Sequence, residues 1–88
     1  MRAELEEYQP LTPQLQHRDG ETWVAFMGDA LAAPGEAVAL KHPDHTTAYA
    51  VVVAHPGARR ARLWAPQWPA WCAPGVSVEA TGKRAALG

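Results

Sequence analysis

Apolar and polar positions alternate in short runs along most of this chain, and Gly or Pro punctuates the runs. Residues 46–54 (TTAYAVVVA) form the longest run, with Tyr49, Val51 and Val53 on one face and Ala48, Ala50, Val52 and Ala54 on the other. Small side chains set against large ones suit a strand in a curved sheet whose concave side is crowded. Residues 22–27 carry Trp23, Ala25 and Met27 opposite Val24 and Phe26, the pattern of a strand covered on both faces. Ala61 and Leu63 alternate with Arg60, Arg62 and Trp64, which predicts a strand with one wet face. Shorter strands are expected at 37–40, with Val38 and Leu40 inward, and from Val76, with Val78 inward and Ser77 and Glu79 outward.

Turn chemistry separates these runs. Pro34-Gly35 has the residues of a type II turn, because Pro presets the first central φ and Gly accepts a positive second one, and Pro74-Gly75 likewise marks a turn. Pro56-Gly57 is expected to end the central run, and Thr81-Gly82 to turn the chain toward a last short strand ending near Leu87. Residues 65–75 (APQWPAWCAPG) hold three prolines and read as a loop. Pro10 and Pro13 likewise forbid a helix through residues 9–20, so residues 1–20 read as an extended arm closing in an Asp19-Gly20 turn, and residues 21–88 as the folded domain. Several short strands with turns between them predict an all-β fold, and at this size a closed or nearly closed six-stranded barrel, which removes exposed strand edges.

Composition narrows the picture. Eighty-eight residues make one domain, and one this small buries only about 60–65% of its unfolded surface, so its core is thin. Hydrophobic residues reach 48%, but Ala supplies much of that total, and the few large apolar side chains must share one core. A single cysteine, Cys72, allows no internal disulfide. No apolar run approaches the roughly 18 residues of a membrane span, and the acidic start is unlike a signal peptide, so a cytoplasmic location without membrane association is expected. The net charge of −1 divides into about −5 for residues 1–44 and +4 for residues 45–88. Such a split can steer a partner or align neighbouring copies.

Two groups of residues carry candidate chemistry. Trp64, Trp68 and Trp71 fall within eight residues held semi-rigid by Pro66 and Pro69, and Arg59, Arg60 and Arg62 lead into them. As a contact surface the set suits a protein partner, where Trp and Arg are enriched. Basic residues interleaved with aromatics also suit single-stranded nucleic acid, although the pI of about 6.4 is low for that role. The structural alternative is that one or two of the rings cap the end of a barrel whose core lacks large residues. His42, Asp44, His45 and Cys72 raise the question of a metal, but no Cys-x-x-Cys or widely spaced ligand pair accompanies them, and a solvated turn and a half-buried thiol are expected. Ala80 to Lys83 (ATGK) resembles the end of a phosphate-binding loop, but Arg84 stands where Ser or Thr is needed.

Gly35-Glu36, Ala50 to Val53, Arg62 to Trp64, Pro74 to Val78 and Thr81-Gly82 follow one another in an order similar to that of the amino-terminal β-barrel domain of rotary, flagellar and type III export ATPases. The resemblance covers about two thirds of the chain. It implies a barrel that packs beside its neighbours and holds an assembly together, without the nucleotide-binding domain that follows in that family. The repeat of APGEAVAL (33–40) in APGVSVEA (73–80) predicts a barrel of two similar halves. The expected function is therefore non-enzymatic and without cofactor: a self-associating assembly or interaction module whose contact surface is Arg59, Arg60, Arg62, Trp64, Trp68 and Trp71. Single-stranded nucleic-acid binding by the same surface is the alternative.

Overall fold

A computed structural model of the protein describes residues 12–85. Six strands, β1 (Gln14–Asp19), β2 (Thr22–Phe26), β3 (Glu36–Lys41), β4 (Ala48–Gly57), β5 (Arg60–Trp64) and β6 (Ser77–Arg84), form one antiparallel ring in the order β1-β2-β5-β4-β3-β6. The ring is a closed barrel, as the alternation predicts, and there is no helix among the described residues.

The valine-rich run is β4, hydrogen-bonded to β3 on one side and β5 on the other. Its small face points inward: Ala50 and Val52 join Leu15, Trp23, Ala25, Met27, Val38, Leu40, Ala61, Leu63 and Val78 in the core. In a narrow ring the inward side chains of several strands converge on one axis, so alanines leave room for the leucines opposite them.

The two Ala-Pro-Gly repeats fold alike. Glu36 N–H donates to Ala33 O at 3.0 Å, Val76 N–H donates to Ala73 O at 3.1 Å, and Gly35 and Gly75 have φ of 94° and 99°. Each glycine N–H then donates at 2.8 Å to the carbonyl of an inward residue on another strand, Gly35 to Val52 and Gly75 to Leu15. The strands that follow these turns, β3 and β6, pair with each other, so β3-β4-β5 and β6-β1-β2 are similar halves of the ring.

Four boundaries differ from the sequence reading. Residues 14–19, expected within the arm, form β1 and belong to the ring, while the rest of the arm through Leu11 lies outside the described residues. Pairing on both sides decides this. Leu15 N–H donates to Val76 O at 2.8 Å, Val78 N–H donates to Pro13 O at 3.1 Å, and β2 supplies an antiparallel ladder interrupted by a bulge at Gln16. Thr81-Gly82 is a bulge inside β6 and makes no turn. Glu36 pairs with Arg84 and Val38 with Ala80, so three residues of β6 stand opposite Ala37 alone. The Thr81 hydroxyl holds the bulge, donating to Ala37 O at 2.8 Å and accepting from Lys83 N–H at 3.2 Å. Lys83 and Arg84, expected in a separate last strand, therefore continue β6, and Leu87 lies outside the described residues. Finally, β4 continues through Pro56 and Gly57, and the turn falls on Ala58 and Arg59, where Arg59 has φ of 58°. Irregular register after Val52 and again after Ala54 leaves Pro56 out of the ladder, where its missing N–H costs nothing.

The strand directions gather the loops at two ends. The β1–β2 turn, the loop after β3 and the long loop 65–76 share one end; the β2–β3 loop and the β4–β5 turn share the other. At the first end Trp68, Trp71 and Cys72 pack against the core. At the second, the imidazole Nε2–H of His55 donates to the carbonyl of buried Ala32 at 2.7 Å.

Candidate functional site

Because β5 alternates, Arg60, Arg62 and Trp64 project from the outer wall while Ala61 and Leu63 fill the interior. The arginines are not bare charges. Arg62 Nη1 donates to Asp19 Oδ2 at 2.8 Å and to Thr22 Oγ1 at 3.2 Å, joining β5 to the β1–β2 turn across β2. That guanidinium holds the Asp19 carboxyl below its ordinary range, first through the hydrogen bond and then through its charge. Arg59 pairs with Asp29 at 3.2 Å, and the Arg60 guanidinium lies 5.5 Å from the centre of the Phe26 ring. Phe26 and Val24 face outward and are nonetheless buried, which accounts for the apolar residues on both faces of β2.

The tryptophans divide. Trp68 meets Trp23 edge to face at 6.5 Å and donates its indole N–H to Glu21 O at 2.9 Å, so it plugs the barrel end beside the β1–β2 turn. Trp71 lies parallel to the His45 ring at 5.3 Å and tilted against His42 at 5.6 Å, fastening the long loop to the loop after β3. Both therefore serve partly as the structural caps weighed in the sequence. Trp64 stays on the wall with 36% of its surface exposed. The six expected contact residues thus do not line one depression. Arg59 and Arg60 sit at the β4–β5 turn, Arg62 and Trp64 further along the wall, and Trp68 and Trp71 over the opposite end. Trp64 and Trp68 share a shallow depression of about 460 Å³ with Arg18, Glu21 and Pro66.

The wall also presents residues that the expected set leaves out. Tyr49 is 61% and Val53 47% exposed, on the outer face of β4. Between them Val51 stands in register with Ala37 of β3 and Trp64 of β5. Ala39, in register with Tyr49 and with Glu79, extends the apolar strip across β3. An apolar band of Ala37, Ala39, Tyr49, Val51, Val53 and Trp64 therefore crosses three strands. Paired charges border it: Arg62 with Asp19 on one side, Lys41 with Glu79 at 3.1 Å on the other. The tyrosine and the valine could have been found from the small-against-large alternation of β4, since the crowded side of a closed ring takes the small residues.

His42 and His45 have ring centres 4.7 Å apart, and His42 Nδ1 accepts from Asp44 N–H at 3.1 Å. Among the described residues no three His, Cys, Asp or Glu side chains are grouped to hold a metal ion. Cys72 is half-buried, and its burial pushes the thiol pKa up, away from the thiolate a nucleophile needs. No helix among the described residues is long and apolar enough to cross a membrane. No family model, curated protein or solved structure matches the chain.

Proposed function

We propose that the protein is a non-enzymatic assembly module that associates with protein, copies of itself included, through the outer wall of β3, β4 and β5. The observation that carries this reading is the exposure of Tyr49, Val53 and Trp64 on the outer wall around the buried Val51. Large aromatic side chains left on a wall whose neighbouring charges are already paired resemble the core and rim of a protein interface. Covering the exposed part of Tyr49 alone, on the order of 100 Å², is worth about 2.5 kcal/mol. The resemblance of residues 35–88 to the ATPase amino-terminal domain implies the same kind of role. The pairing of Arg59 and Arg62 with acids weighs against single-stranded nucleic acid, because phosphate contacts need cations able to release counterions.

Sedimentation velocity over a range of protein concentrations tests this. The wild-type chain is expected to associate, and a Tyr49→Ser/Trp64→Ser variant of unchanged fold to remain a monomer. A wild-type chain that is monomeric throughout refutes the reading.

A further inference from the structure

Tyr49, Val53 and Trp64 stand on β4 and β5, and the ring order sets these two strands opposite the seam between β6 and β1, with β2 between them on one side and β3 on the other. The seam is where the chain enters the ring. Val78 N–H donates to Pro13 O at 3.1 Å and Gln14 pairs with Ser77, while at exposed Thr12 the backbone bends. Eleven residues precede Thr12, among them Tyr8, Pro10 and Leu11. Prolines at 10 and 13 fix φ on either side of Leu11, and a stretch restricted in this way loses little entropy when it lies extended on flat rings.

This stretch cannot cover the wall of its own chain. Gln14 is in register with Phe26, Phe26 with Arg60, and Trp64 is four residues further along β5. Thr12 is therefore about 20 Å from Trp64 along the strands, and two strand spacings of about 4.8 Å away around the ring. Tyr49 is further still, because Val51 is the residue of β4 in register with Trp64. Leu11 and Pro10, one and two residues beyond Thr12, reach at most about 7 Å.

We infer that residues 8–11 of one copy lie over Tyr49, Val53 and Trp64 of the next. This rests on the reading of the wall as a protein contact and names its occupant. Pro10 and Leu11 cover the aromatic faces, and buried Val51 is the floor between them. The Tyr49 hydroxyl and the Trp64 indole N–H are donors for the carbonyls of an extended backbone, which has no hydrogen bonds of its own. The segment leaves one side of the ring and is received on the opposite side, so the contact is head to tail. Copies then add one after another, and association does not stop at two.

Sedimentation velocity of the full chain tests this with Pro10→Ser/Leu11→Ser. The double variant is expected to associate about tenfold more weakly with an unchanged near-ultraviolet circular dichroism spectrum, and the wild-type mass to climb past two chains as concentration rises. A synthetic peptide of residues 1–12, added in excess, is expected to disperse the wild-type assembly and shift the Trp64 indole resonance, and to leave the spectrum of Tyr49→Ser/Trp64→Ser unchanged. A Pro10→Ser/Leu11→Ser chain that associates like wild type, a peptide that does not move the Trp64 indole, or a wild-type mass that stops at two chains overturns the inference. If Tyr49→Ser/Trp64→Ser is monomeric in that case, the wall reading stands with another occupant. A wild-type chain that never associates overturns both.

Discussion

Replacing Thr81 by Val would remove one hydroxyl and nearly nothing else, which makes the bulge of β6 a place where a single group can be weighed. The Thr81 hydroxyl donates to the carbonyl of Ala37 at 2.8 Å and accepts from the amide of Lys83 at 3.2 Å. The first bond is partly buried, and breaking it leaves a carbonyl opposite the bulge without its donor. The second is exposed, so water replaces it. One partly buried bond with its unsatisfied acceptor is worth about 1–2 kcal/mol, and the exposed bond adds little. In a domain of this size each kcal/mol moves the melting temperature by about 4–8 °C, so Thr81→Val is expected to melt about 5–15 °C lower. Thr81→Ser keeps the hydroxyl and is expected to change stability by less than about 0.5 kcal/mol. Urea unfolding followed by tryptophan fluorescence, at a concentration where the chain is monomeric, gives both values. Amide exchange at Lys83 should quicken in the Val variant alone. Equal stability of Thr81→Val and wild type, or equal damage from both substitutions, would show that the hydroxyl does not hold β3 to β6.

Two further outcomes follow from the core and from the wall. Leu63 is fully buried between Trp23 and Val52, its register partners on β2 and β4, so Leu63→Ala is expected to cost about 2–5 kcal/mol. At about 0.05–0.15 kcal/mol per residue this is a large share of the whole, and a broad or incomplete native baseline in urea is the expected observation. Asp19 has its carboxyl pKa lowered by Arg62, so the ionised form is favoured in the folded chain. Its contribution is fully present above the ordinary carboxylate range and is lost as pH falls through the lowered value. Asp19→Asn should therefore be less stable than wild type at neutral pH, and the two should converge in acid. A difference that stays constant with pH would contradict this.

The strands whose alternation was strong are legible from sequence alone. Val38, Leu40, Ala61, Leu63, Val76 and Val78 turn inward as their spacing requires, and two of the three Pro-Gly pairs, Pro34-Gly35 and Pro74-Gly75, form turns with the glycine at positive φ. What was hidden depended on partners distant in the chain. The stretch Gln14–Asp19 has one large apolar residue, Leu15, and follows two prolines; it becomes a strand because β2 and β6 supply hydrogen bonds on either side. Thr81-Gly82 has turn residues, and Gly82 does take φ of 74°, but the ladder to β3 resumes beyond it. Pro56 lacks an N–H yet sits in β4 where the register is irregular. The outward placement of Arg62 and Trp64 follows from alternation, whereas the acids that neutralise Arg59 and Arg62 come from the β2–β3 loop and from β1. The two faces of β4 separate in sequence, and because the crowded inside of a closed ring takes the small residues, Tyr49 and Val53 are the ones left outside.

Dilution of isotopically labelled protein, followed by two-dimensional amide and indole NMR, tests the claim that this wall is the working surface. The account predicts concentration-dependent shifts or broadening at Tyr49, Val51, Val53 and the Trp64 indole, with Gly28 and Leu31 at the β2–β3 loop unchanged. Spectra that do not vary with concentration, or changes gathered at the β2–β3 loop, would contradict it.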